Sequence, residues 1–176
     1  MTMNLSLYTI KAVLILDSDG NRVLAKYYGK DYASLKDQKA FERSLFDKTK
    51  RSSAEIILFD NHIVLYRNNI DVFFYVIGSF DENELIIASA LNTFYEAVSL
   101  LLNHQLDKRS ILDNLDLVLL ALDETVDDGI ILETDPNYIV SRVSKPSDTV
   151  DIPLSEQTLM QAVQTARERL AGSLIR

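Results

Sequence analysis

Residues able to do chemistry are few and scattered in this chain. There are 2 histidines, His62 and His104, and no cysteine. Without cysteine there is no thiol nucleophile, no thiolate metal site and no disulfide framework. Neither histidine has a partner at metal-ligand spacing, so both read as surface residues. The densest carboxylates are Asp123, Glu124, Asp127 and Asp128. Paired carboxylates can hold a divalent cation, but a calcium loop alternates its oxygen ligands and this run does not. It reads as the wet face and end of an amphipathic helix. Five glycines leave little material for a phosphate loop or a dinucleotide fingerprint, and neither motif is present. No nucleophile elbow occurs. The expectation is a chain with no catalytic residue, no cofactor and no metal site.

Composition narrows the class further. At 176 residues, 47% hydrophobic and 25% charged, the chain can bury a core without staples. A net charge of −8 argues against a nucleic-acid partner and against direct adhesion to anionic lipid. Membrane contact is therefore expected only through a partner. The opening MTMNLSLYTIK has no basic region ahead of an apolar one, so no signal peptide is expected. The sequon Asn4-Leu5-Ser6 then carries no weight. The uncharged apolar runs fall short of the roughly 18 to 20 residues of a membrane span. A cytoplasmic protein is the expectation.

The elements are organised around Glu55 to Gly78, which reads EIILFD-NH-IVLYR-NN-IDVFFYVIG. Three apolar runs of strand length are separated by two short polar breaks. Asp60-Asn61 and Asn68-Asn69 tolerate positive φ and suit tight turns. The spacing predicts a three-strand antiparallel meander. Its last strand, Ile70 to Ile77, is apolar at nearly every position, as in a strand covered on both faces.

Tyr8 to Asp17 is another strand, with a continuous apolar core from Ala12 to Leu16. Ser18-Asp19-Gly20-Asn21 is a turn, and Arg22 to Tyr28 is the return strand. The two most apolar strands, the first and the fifth, are expected to pair at the centre of a five-stranded sheet. Ser34 to about Lys50 reads as a helix, with Ser34 and Asp37 as a capping box and Leu35, Phe41, Leu45 and Phe46 as its apolar face.

Asp81 to about Asn103 carries Leu85, Ala88, Leu91, Tyr95, Val98 and Leu102 at helical spacing. Asp107 to Asp128 continues with Ile111, Leu115, Val118, Leu122 and Val126, and Gly129 stands where a C-cap belongs. Asp135-Pro136 opens a short helix. Residues 144–153, with two prolines, read as a linker, and 154–176 as a C-terminal helical tail. The fold class is α+β, in α-β-α layers, with one domain over residues 1–143.

At this point the chain resembles a known family, the small chains of vesicle coats, which have a longin-like fold. The family motif stands as Val64-Leu65-Tyr66-Arg67, four residues, then Val72-Phe73-Phe74. A second match runs Leu122-Asp123-Glu124 to Asp128-Gly129-Ile130-Ile131-Leu132-Glu133-Thr134. LYTIKAVLILDSDGNRVLAKYY, KDQKAFERSLFDKT and DIPLSEQTL are similar to the coatomer ζ branch rather than to the adaptor σ branch.

The resemblance implies a non-catalytic subunit of the COPI coat that pairs with the large γ subunit. It implies recruitment to Golgi membranes by the GTP-bound GTPase Arf through the assembled complex, for Golgi-to-ER and intra-Golgi transport. The alternatives are a longin-type module binding a small GTPase or a SNARE, or a σ-like clathrin-adaptor chain. In σ chains an apolar pocket takes dileucine signals. The corresponding positions here are Ile70, Tyr95, Lys108 and Ser110, and they read as a degenerate pocket. The tail helix is expected to dock through Leu159, Met160, Val163 and Leu170. Lys48, Lys50 and Arg51 read as cations complementing the end of the first helix.

Overall fold

A computed structural model describes residues 7–29, 31–52 and 54–144. The 145–153 part of the linker and the tail helix, with Leu159, Met160, Val163 and Leu170, lie outside the described residues. Strands β1 (Ile10–Asp17), β2 (Arg22–Tyr27), β3 (Ile56–Phe59), β4 (His62–Asn69) and β5 (Val72–Ser79) form one sheet in the order β2-β1-β5-β4-β3. Every neighbouring pair is antiparallel. The expected central pairing of first and fifth strands is present, with Ile15 opposite Phe74 and Leu14 opposite Tyr75.

Alternation along these strands sends side chains to two separate cores. Ala12, Leu14, Leu16, Val64, Tyr66, Tyr75 and Ile77 meet helix α1 (Leu35–Thr49) through Phe41, Leu45 and Phe46. Val13, Ile15, Ile63, Leu65, Val72, Phe74 and Val76 meet the opposite layer. That layer is α2 (Glu84–Leu101), α3 (Lys108–Asp113), α4 (Leu115–Thr125) and α5 (Pro136–Val143). Ile10 has the parity of the α1 face yet packs in the other core. A register shift between Ile10 and Ala12 accounts for it, since one extra residue flips the face.

The helix starts follow local chemistry. The Ser34 hydroxyl accepts from Asp37 N at 3.1 Å, and the Asp135 carboxylate accepts from Asn137 N at 2.9 Å ahead of Pro136. Leu35 departs from expectation: it sits at the first helical position and is exposed. On α2 the buried stripe is Ile87, Ala90, Leu91, Phe94, Ala97 and Val98. Leu85 is exposed and Ala88 and Tyr95 are half-buried. This helix is apolar on nearly every side, so several stripes are readable, and packing on both the sheet and α4–α5 selects one. By length and composition α2 also matches a membrane span, yet Ile87, Leu91, Phe94 and Val98 are core residues.

Two other expectations are corrected. The long helix over Asp107 to Asp128 is broken at Asn114, whose side chain donates to Ser110 O at 2.9 Å. The apolar spacing runs through the break because α3 and α4 cover the same core. Gly129 is not a helix cap. Asp128 (φ 46°) and Gly129 (φ 78°) form the two-residue turn between β6 (Val126–Asp127) and β7 (Ile130–Ile131).

The β4–β5 turn is also displaced. Asn68 and Asn69 stay in the ladder, opposite Phe73 and Val72, and Ile70-Asp71 makes the turn. The slip relative to a turn at Asn68-Asn69 is an even number of residues. It keeps every side chain on its face, so alternation does not distinguish the two registers. Tertiary contacts do. Asn69 donates to Leu106 O at 3.3 Å, and the Asp71 carboxylate accepts from Lys108 N at 3.1 Å.

Two substitutions test this backbone. A Cβ at Gly129 would lie 2.5 Å from the Ile10 carbonyl oxygen, at positive φ. Gly129→Ala is expected to cost about 1–3 kcal/mol in urea unfolding. Ile70 has φ 34° and is 93% exposed, a conformation β-branched residues rarely adopt. Ile70→Asn is expected to raise stability by roughly 1 kcal/mol in the same measurement.

Candidate functional site

The signature residues form the middle of the sheet. Val64 and Tyr66 on β4 point into the α1 core, and Leu65 into the other. Val72 and Phe74 on β5 are buried under α2, while Phe73 meets Phe46 edge-on at 5.4 Å. Arg67, like Phe73, is only half-buried. Its guanidinium lies 4.0 Å from the Tyr95 ring centre, and Nη1 donates to Asn92 Oδ1 at 3.1 Å. Tyr95 in turn packs edge-on against Phe74 at 5.1 Å. Tyr95 is thus clamped between the sheet and a cation.

The other positions gather at the turn end of the sheet. The Asp107 carboxylate caps α3, accepting from Ser110 N at 3.0 Å and Ser110 Oγ at 2.7 Å. Lys108 Nζ donates to Asp17 Oδ2 at 2.8 Å. Its backbone N–H is held by Asp71, the residue after Ile70. Asp17 thereby joins the β1–β2 turn to the start of α3, and Asp71 joins the β4–β5 turn to the same residue. At the four positions stand an exposed Ile70, a clamped Tyr95, a bridged Lys108 and a Ser110 held by the α3 cap.

Asp17 and Asp71 were not singled out from sequence. Asp17 did carry a signal, since an aspartate directly before Ser-Asp-Gly-Asn is placed for an Asx turn. Its side chain accepts from Asp19 N at 2.9 Å and Asn21 N at 2.7 Å. Burial pushes the Asp17 carboxyl up, but the Lys108 ammonium and the hydrogen bonds from Asn21 and Asp19 outweigh it and hold it at about 2.

The histidines are placed apart. His62 is buried rather than on the surface. It opens β4 with its side chain on the α1 face, near Tyr32 and Phe41. Its Nδ1 is 2.7 Å from Asp60 O, and its Nε2 is 3.8 Å from Asp31 Oδ2. His104 is exposed, with Nδ1 2.9 Å from Ser99 Oγ. The acidic run is spread over α4, β6 and the turn after it. Asp123 pairs with Lys26 at 2.7 Å and Glu124 with Arg142 at 2.7 Å. Among the described residues no three His, Cys, Asp or Glu side chains are placed to hold a metal ion.

The Asp17–Lys108 bridge has a testable pH signature. Asp17 is lowered from 3.8 to about 2 on folding, so its contribution is fully present above about pH 4 and is lost as pH falls towards 2. The side chain is 2% exposed, and the shift, which Lys108 shares with the hydrogen bonds from Asn21 and Asp19, corresponds to about 2 kcal/mol in all. Lys108→Met lets the carboxyl rise. The expected result is a variant less stable at pH 7, with the gap to the parent narrowing from about pH 4 to about pH 2 in urea unfolding.

Comparison with known proteins places this arrangement. The family model of the clathrin adaptor complex small chain matches residues 9–150. Human coatomer subunit zeta-1 is 48% identical over 171 residues, covering 97% of this chain and 96% of that protein. Coatomer subunit zeta-2 of Arabidopsis thaliana is 48% identical over 170 residues, covering 94% and 95%. Among structures, a chain in a homology model of the full-length AP-3 complex in a stretched open conformation aligns with a TM-score of 0.60. It is 20% identical and covers 91% of this chain and 98% of that one, a likeness of fold. The signature on β4 and β5, the sheet built around it and the near full-length identity agree: the chain belongs to the clathrin adaptor complex small-chain family and, within it, to the coatomer zeta subunits.

Proposed function

We propose that this chain is a non-catalytic structural subunit of the COPI vesicle coat. It pairs with the large γ subunit and acts at Golgi membranes, in retrograde Golgi-to-ER and intra-Golgi transport. Arf reaches it through the assembled complex. The observation carrying this reading is the 48% identity to coatomer zeta-1 chains across 97% of the sequence. The structure supports a scaffold role, because the signature residues are spent on the core and the Arg67–Tyr95 clamp, not on a reaction centre.

The same geometry speaks against dileucine binding. A pocket for two leucines must be apolar and open. Here a leucine would displace Tyr95 from under Arg67 or desolvate the Lys108–Asp17 bridge. The chain is therefore read as a small subunit that has kept the family's sheet without its cargo pocket.

The large partner is expected to bind the domain over residues 1–143. A permanent subunit interface buries roughly 2,000 Å² or more and is substantially apolar. The domain offers exposed Ile56 and Leu58 on the edge strand, and exposed Leu112, Leu119 and Leu120 on α3 and α4. The test is co-expression with the coatomer γ chain. A chain ending after Val143 is expected to co-purify with γ. Ile56→Asp/Leu58→Asp or Leu119→Asp/Leu120→Asp is expected to abolish the pair. A truncated chain that unfolds cooperatively but no longer co-purifies would move the interface to the tail. Failure of the full chain to co-purify with γ would overturn the coat reading.

A further inference from the structure

Charge is divided across this sheet. Residues 81–135, which supply α2 to α5 up to the cap of the last helix, hold 13 acidic and two basic side chains. On the opposite face, α1 and the two residues after it expose Lys36, Lys39, Arg43, Lys48, Lys50 and Arg51 against Asp37 and Asp47. The third acid of α1, Glu42, is buried and answered internally. It accepts from Arg22 at 2.6 Å and from the Tyr27 hydroxyl at 2.9 Å. Six of the 18 basic residues thus lie exposed on α1 and the two residues after it, in a chain with net charge −8.

Reading Lys48, Lys50 and Arg51 as a helix-end cluster misses this extent. Lys39 and Arg43 continue the Lys50 flank through the preceding turns, Lys36 is exposed in the first turn, and Lys48 lies on the other flank with Asp37. Lys50 pairs with Asp47. Lys36, Lys39, Arg43 and Arg51 have no ion pair with a carboxylate of the described residues. The Lys48 and Lys50 ammonium groups lie over the Phe59 and Phe46 rings, 5.1 and 5.6 Å from the ring centres.

We propose that the outer face of α1 docks against an anionic lipid surface. The strip is about 22 Å long, taking 1.5 Å per residue. It is convex, rich in lysine and without a cradle. The depression beside it, of about 520 Å³, is lined by Asp19, Glu42 and Asp47 as well as by Arg22, Lys39, Arg43 and Lys50, so three carboxylates face any single anion there. Dispersed point charges on a convex helix match a sheet of dispersed phosphates better than they match one ligand. The acidic layer lies across the sheet, beyond a Debye length of about 8 Å, and is screened from a surface meeting α1. The asymmetry also orients the chain, turning α1 to the bilayer and the acidic helices away from it. Net charge alone gives the opposite expectation, because it averages over the two faces.

The test uses the full chain, free of other subunits, in flotation with phosphatidylcholine vesicles with or without phosphatidylserine. Binding is expected only to the anionic vesicles, and it should fall as salt rises. Lys36→Glu/Lys39→Glu/Arg43→Glu is expected to weaken it about tenfold or more. Lys36→Arg/Lys39→Arg, which keeps the charge, is expected to bind as the parent does and controls for folding. No binding to anionic vesicles at low salt overturns the proposal, as does undiminished binding of the charge-reversed variant. Retention on an immobilised poly-glutamate peptide without vesicle binding overturns it too, and assigns the face to an acidic polypeptide. None of these outcomes depends on the γ subunit.

Discussion

The pairing of β1 with β5 governs the architecture. Both strands are apolar on both faces, and from Val13 to Leu16 and from Phe74 to Ile77 every residue is at most 1% exposed. Such a ladder is stable only if each face is covered, because burial of apolar area is the dominant favourable contribution to folding. One helix suffices on one side, where Phe41, Leu45 and Phe46 are large. The other side takes several helices, and α2 lies at their centre. Antiparallel order lets β3 to β5 be joined by two-residue turns, while the α1 crossover spans the sheet from β2 to the far edge.

Polar residues do their work at the ends of this sandwich. Asp17 and Asp71, in separate turns, converge on Lys108 at the start of α3. Thr49 bonds Leu45 O at 3.0 Å and the Tyr75 hydroxyl at 2.7 Å, so the end of α1 is tied to the central strand. Burial drives the Tyr75 hydroxyl up in pKa, and it stays protonated. These bonds add modest energy each, but an unmatched partner in such places costs more than the bond is worth. They set register and helix placement as well as adding to stability.

That distribution explains why the chain reads as a scaffold. The charged groups around Ile70, Tyr95 and Lys108 are consumed internally, by the Arg67–Tyr95 clamp and the Asp17–Lys108 bridge. What remains for partners is surface: apolar patches on the edge strand and on α3–α4, and a basic helix opposite an acidic layer. Function in a coat subunit is then a matter of which faces meet which neighbours.

The sequence by itself determined the strands, their two-face burial, the central pairing and the caps at Ser34 and Asp135. These rest on local rules: a period of two, turn residues tolerant of positive φ, and side chains that bond their own backbone. Family membership was legible for a related reason, since the signature Val64 to Phe74 encodes the two strands on which the sheet is built. Tertiary structure decided what local rules leave degenerate. The β4–β5 turn moved to Ile70-Asp71 because an even slip keeps the alternation intact, and Leu106 and Lys108, distant in sequence, chose between registers. The buried stripe of α2 was open because nearly all its sides are apolar. His62 is buried by Tyr32 and Phe41, which approach from another element. The basic face of α1 emerged only once Glu42 was seen to be buried against Arg22 and Tyr27, because a sequence counts charges without showing which of them meet solvent.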